Sequence, residues 1–231
     1  MLGQRERSMS IPANRSTAVR QRRNAPRSDL VLDDFPTPAW ATRALVEEVL
    51  IETLGLGPEL PEMTAYDPCC GRGTMVRPLS EYFGTVVGTD IHDYGQGFPV
   101  MDYLDPDASP PAADCIIMNP PFQRALGMAL RALEARPKIV AVLARAAWAE
   151  GVERYEKLFR DRCQNIYAPF VRRVSMVEGA LARKGSLATA YAWFVWTNGM
   201  GEWDWRRDFV RIGYDRARLE RPGDWAPFIN V

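Results

Sequence analysis

Asp67-Pro68-Cys69-Cys70-Gly71-Arg72-Gly73-Thr74 lies between a β-prone run, Thr64 to Asp67, and a helical one, Met75 to Phe83. A strand, a glycine turn and a helix in that order open many parallel α/β sheets. There the strand's carboxyl end faces a ligand, and glycine lets the backbone come close to it. Two glycines alone are a weak signal, because tight turns use them for purely conformational reasons. The pattern farther along the chain strengthens the reading: strands are expected at Thr85 to Thr89, Pro99 to Met101, Asp114 to Met118 and Lys138 to Leu143, with helices at Arg124 to Ala135 and Ala149 to Arg160. Short β-rich runs alternating with helical ones predict a mostly parallel sheet covered by helices. Upstream, Thr37 and Pro38 read as the cap and first residue of a helix whose buried face is Val46, Val49, Leu50 and Leu54. Downstream come Asn165 to Val174 and the aromatic run Thr189 to Trp196, the latter too apolar for an exposed edge and therefore a buried late strand.

Two aspartates extend the motif into a pocket. Asp90 ends the next strand, 17 residues after Gly73, where a carboxylate can accept hydrogen bonds from both hydroxyls of a ribose. Asp102 follows the third short strand and is placed to accept from an adenine amino group. The turn lacks the third glycine of the dinucleotide fingerprint, which argues against a pyrophosphate. A sulfonium cofactor carries no phosphate, and a carboxylate such as Asp67 suits its ammonium and positive sulfur.

Asn119-Pro120-Pro121-Phe122 directly follows the apolar strand Asp114 to Met118, which puts it at a strand end beside the glycine turn. An exocyclic amine on an aromatic ring is a poor nucleophile because its lone pair is delocalised. Acceptors aimed at its N–H bonds favour a pyramidal nitrogen with the lone pair pointed at an incoming methyl group. The Asn119 side-chain oxygen and the Pro120 carbonyl can be those acceptors, Pro120 and Pro121 stiffen their positions, and Phe122 can stack on the base. A base inside a duplex cannot reach such a pocket unless it is flipped out.

Composition sets the outer limits. A chain of 231 residues, 47% hydrophobic, supports one sizeable core. The formal charge is zero, but the first 29 residues hold seven arginines against Glu6 and Asp29, a balance of +5 that leaves −5 on the remainder. Residues 1–29 are therefore expected to be a disordered basic tail, and residues 30–231 a single domain. His92 is the only histidine, which excludes a histidine-based triad, and the four cysteines show no zinc spacing, so no metal is expected. With no apolar run of 18 residues and no secretory signal, a soluble cytoplasmic protein without membrane contact is expected.

On these residues the chain resembles the S-adenosylmethionine (SAM)-dependent amino-group DNA methyltransferases, in particular N6-adenine enzymes of the gamma-like motif order, including small phage-type members. Phe35-Pro36-Thr37-Pro38 looks like the segment lying along the methionine part of the cofactor in that family. Asp67 to Gly73, Asp90, Asp102 and Asn119 to Phe122 look like its next four motifs. The resemblance implies a Rossmann-like class I methyltransferase fold of α/β type, a mostly parallel seven-stranded sheet whose antiparallel last strand is the one around Trp193. It implies SAM as cofactor, bound by Pro36, Thr37, Asp67, Pro68, Cys69, Gly71, Gly73, Asp90, Ile91, Asp102, Tyr103 and Asn119, with Asn119, Pro120, Pro121 and Phe122 catalytic. The implied partner is nucleic acid, DNA before RNA, with a homo-oligomer or a specificity-providing partner also open. Related motifs serve enzymes that methylate RNA bases or protein glutamine, and an inactive SAM-binding accessory module is a further alternative. Restriction-type relatives carry a large target-recognition domain after the catalytic one, whereas 35 residues come after Trp196 here. Target contacts then fall to the basic tail and to the 175–188 segment, whose approaches carry Arg172, Arg173, Arg183 and Lys184.

Overall fold

The computed structural model describes residues 33–183, 189–213 and 215–226. The basic tail, residues 30–32 and Lys184 lie outside the described residues. Seven strands form one sheet: β1 Thr64–Asp67, β2 Thr85–Gly88, β3 Cys115–Met118, β4 Ile139–Arg145, β5 Ile166–Pro169, β6 Tyr191–Thr197 and β7 Asp208–Phe209. Their order is β2-β1-β3-β4-β6-β5-β7. β1, β2, β3 and β4 pair in parallel, while β6 runs antiparallel to both β4 and β5. The Rossmann-like, mostly parallel seven-stranded sheet is as expected, and β6 is its antiparallel strand. It is not the last in the chain, because the two-residue β7 comes after it and pairs in parallel with β5.

Helices cover both faces, and period-two alternation decides which side chain meets which helix. Along β6, Trp193 and Val195 join the cluster that includes Trp40, Leu45, Val49 and Leu50 of the N-terminal helix. Phe194 and Trp196 face the opposite cluster with Met128 and Ala129. The N-terminal helix begins as α1 Ala39–Ala44 and continues as a π-helix over Leu45–Ile51. α2 is Val76–Leu79 and α3 is Ala125–Glu134. α4 Val152–Arg154 runs into a π-helix, Tyr155–Phe159, and α5 is Arg216–Leu219.

Other expectations change as well. Pro99 to Met101 is no strand but a single parallel bridge from Val100 to Asp90. Asn165 to Val174 shortens to β5. Thr37 does not cap α1: Pro38 occupies the cap position in extended geometry, and the Thr37 hydroxyl turns to a different partner.

Candidate active site

The sheet order brings the candidate residues together. β1 lies between β2 and β3, so the chain leaves β1 to one side and returns on the other. A crevice opens at such a switch point, outside the carboxyl ends of the strands. The turn 68–74, Asp90 and Asn119–Phe122 leave the ends of those three strands.

The turn is held from within. Asp67 is buried, and its Oδ1 accepts the Cys69 N–H at 3.1 Å. Asp90 uses one carboxylate oxygen to accept the Gly71 N–H at 2.8 Å and the other to accept the His92 N–H at 3.0 Å. Gly71 and Gly73 have φ of 53° and 73°, the left-handed region that disfavours side chains. A Cβ on Gly73 would also sit 2.6 Å from the Phe98 ring, whereas one on Gly71 would meet nothing within 4 Å. The turn is thus packed beneath Gly73 and open above Gly71.

Burial pushes the Asp67 carboxyl up to about 7, with the Cys69 N–H opposing the rise and the charge of Asp90 adding to it. Burial also raises Asp90, against its hydrogen bonds from His92 and Gly71. An acid with a raised folded-state pKa stabilises most below its unfolded value, near 4, and loses that contribution as pH rises through about 7. Asp67→Asn keeps the acceptor for Cys69 and removes the charge. The difference in Tm between this variant and the wild type should therefore grow in the variant's favour from about pH 4.5 to about pH 8, as measured by thermal melts without cofactor. A difference that stays constant across that range would show that Asp67 does not titrate there.

At the end of β3 the amide of Asn119 has a fixed orientation. Its Nδ2 donates to the Phe35 carbonyl and to the Thr37 hydroxyl, both at 3.0 Å. A carbonyl only accepts, so the NH₂ must face Phe35, and Oδ1 is left without a donor among the described residues. The Pro121 carbonyl accepts the Arg124 N–H, whereas no backbone N–H of the described residues reaches the Pro120 carbonyl. The Phe122 N–H donates to Asp33 at 2.9 Å, and its ring meets Phe35 at 5.6 Å. Two acceptors and an aromatic ring are thereby presented from one turn.

Thr37, Asn119, Phe122, the glycine turn and Asp90 are gathered at these strand ends, with Pro36, Pro68 and Pro120 buried behind them and Cys69, Ile91 and Pro121 half-buried. Two expected residues stand differently. Asp102 Oδ1 accepts the Leu104 N–H and pairs with Arg124, the residue before α3. The Tyr103 side chain is buried among the core residues, edge-on to Tyr66 and beneath the Arg131 guanidinium. The sequence reading missed Arg145, whose guanidinium lies 4.0 Å from the centroid of the Phe122 ring. Its signal was a cation ending an otherwise apolar strand, Ile139 to Ala144. Among the described residues no three His, Cys, Asp or Glu side chains gather as a metal site, and no helix is long and apolar enough to cross a membrane.

No protein-family model and no curated protein matches the sequence. Among solved structures, the fold is similar to the methyltransferase subunit of a type I restriction-modification system from Streptococcus thermophilus. That match has a TM-score of 0.52 and 13% identity, over 72% of this chain and 45% of that one. The EcoKI M protein of a type I restriction enzyme matches with a TM-score of 0.51 and 14% identity, over 74% of this chain and 45% of that one. A Pyrococcus horikoshii protein assigned as an RNA methyltransferase matches with a TM-score of 0.50 and 16% identity, over 72% of this chain and 87% of that one. This chain thus aligns with less than half the length of the two restriction-modification subunits. Sheet order and these likenesses together define a Rossmann-like class I methyltransferase fold.

Proposed function

We propose that this chain is a SAM-dependent methyltransferase acting on an exocyclic amino nitrogen, with adenine N6 of DNA as its target. The observation that carries the reading is the fixed amide of Asn119, whose Oδ1 is kept available beside the glycine turn. Support also comes from the fold, and from type I restriction-modification methyltransferases being among the proteins that share it.

The residues of the crevice suit the cofactor. Space above Gly71 admits a ligand against the backbone, and the buried carboxylates Asp67 and Asp90 match a molecule bearing an ammonium, a sulfonium and ribose hydroxyls. Each carboxylate oxygen has two lone pairs, so Asp90 can hold Gly71 and His92 and still accept from a ribose. Bound SAM supplies an electrophilic methyl group. The chain's own part is to hold the amine: Asn119 Oδ1 and the Pro120 carbonyl accept its two N–H bonds, and Phe122 stacks on the ring that bears it. Acceptors fixed in advance cost no reorganisation as charge develops on the nitrogen. Held in line with that methyl group, the amine would react in an effectively intramolecular step.

Calorimetric titration with S-adenosylhomocysteine tests the cofactor half of this reading. The wild type should bind, and Asp90→Ala should bind more weakly by about 1.5 to 3 kcal/mol, from the loss of charge-assisted ribose bonds. Unchanged affinity in that variant would remove Asp90 from the site.

A further inference from the structure

Arg145 ends β4, the strand beside β3, so it emerges at the same edge of the sheet as Asn119. Its guanidinium carbon is 4.0 Å from the centroid of the Phe122 ring, a stacking distance. Across the sheet it pairs with Tyr191, whose hydroxyl burial pushes up, Arg145 pulls down by its charge and a side-chain hydrogen bond, and the charge of Asp33 pushes up again. Its Nε is buried without a hydrogen-bond partner, and no carboxylate of the described residues forms an ion pair with it. Asp33, the acid next to Phe122, accepts the Phe122 N–H. A half-buried cation held on an aromatic face without a carboxylate partner has donors to spare. Those donors, set in a guanidinium fork, suit an anion that offers two oxygens side by side, as the non-bridging oxygens of a phosphodiester do.

We propose that Arg145 forms an anion subsite at the mouth of the pocket, which takes a phosphodiester group next to the target nucleotide. The inference rests on the amino-methyltransferase reading and deepens it by assigning a residue to the backbone of the target strand. A base stacking on the face of Phe122 that Arg145 covers must displace the guanidinium. The displaced group then exchanges a cation–π contact for charge-assisted hydrogen bonds to phosphate, the stronger interaction. A protein glutamine brings no such anion, so the subsite favours a nucleic-acid substrate.

The test is fluorescence anisotropy with the full chain, a labelled single-stranded oligonucleotide and saturating S-adenosylhomocysteine, over a series of salt concentrations. Arg145→Gln should raise Kd about five- to tenfold and make the slope of log K against log salt shallower by about 0.7, the value of one phosphate contact on a single strand. Arg145→Lys should keep the wild-type slope, because it keeps the charge. Wild-type Kd and slope in Arg145→Gln would overturn the subsite, as would a glutamine-like loss of slope in Arg145→Lys. Calorimetry with S-adenosylhomocysteine separates the two readings and checks that both variants are folded. A chain that binds S-adenosylhomocysteine but no nucleic acid overturns the subsite and leaves the cofactor reading intact. A chain showing Arg145-dependent oligonucleotide binding without S-adenosylhomocysteine affinity overturns the cofactor reading and supports the subsite.

Discussion

Asn119→Ala is expected to lower the turnover of methyl transfer by about 10²-fold or more while changing cofactor affinity little. The Nδ2 contacts to the Phe35 carbonyl and the Thr37 hydroxyl aim the amide, so the lost atom that matters is Oδ1. That oxygen is used most strongly as the amine pyramidalises, and its loss therefore weighs on kcat more than on binding. Asn119→Asp is not a conservative change, since one carboxylate oxygen must then face the Phe35 carbonyl, acceptor against acceptor. Thr37→Val should act through the same amide, with a smaller loss of kcat, because the Phe35 carbonyl still holds Nδ2. Single-turnover kinetics read both effects, and full turnover in Asn119→Ala would remove the amide from the mechanism.

The largest effect on stability is expected from Arg43. It lies in α1 with 2% of its surface exposed, and it joins three parts of the chain distant in sequence. Its Nε and one terminal nitrogen donate to the two oxygens of Glu81 at 2.8 and 2.6 Å. The other terminal nitrogen donates to Asp224 and to the Leu219 carbonyl, both at 2.7 Å. Burial pulls its pKa down, and the hydrogen bonds it donates to Glu81 and Asp224 more than restore it. Arg43→Ala leaves the Asp224 carboxylate, whose side chain is 8% exposed, without its counter-charge. Breaking a buried pair of this kind costs about 3 to 5 kcal/mol, on the order of a 10 °C fall in Tm for a domain of this size. Urea denaturation checks it, and a midpoint within error of the wild type would show that the network contributes nothing net.

The helix and strand pattern was legible wherever periodicity or a strong motif marked it. β1 spans the expected residues, β3 starts one residue late, β4 starts one and ends two residues late, and the aromatic run is the buried strand its apolarity demanded, with the antiparallel direction implied only by the family resemblance. The misses have physical causes. Pro99 to Met101 comes after the glycine-rich 95–98 stretch and reaches only one bridge with Asp90. The helix expected over Ala149 to Arg160 is interrupted by Gly151, whose φ of 110° is outside any helix. β7 is two residues long with Phe209 half exposed, so no alternation announces it.

At the site, residue types and their placement at strand ends were legible, and orientations were not. Asn119 and Thr37 are 82 positions apart, and nothing local says that the threonine would hold the amide rather than cap a helix. Arg145 over Phe122 and Arg43 with Asp224 are likewise products of packing, visible only once the sheet has brought distant segments together.

The most direct test of the central claim is transfer of a labelled methyl group from SAM to DNA from a host lacking adenine methylation, with nucleoside analysis of the product. Label in N6-methyladenine, lost in Asn119→Ala, is the predicted result. Label recovered on no nucleobase or glutamine amine, from DNA, RNA or protein substrates, by a chain that binds SAM, would contradict amino-methylation.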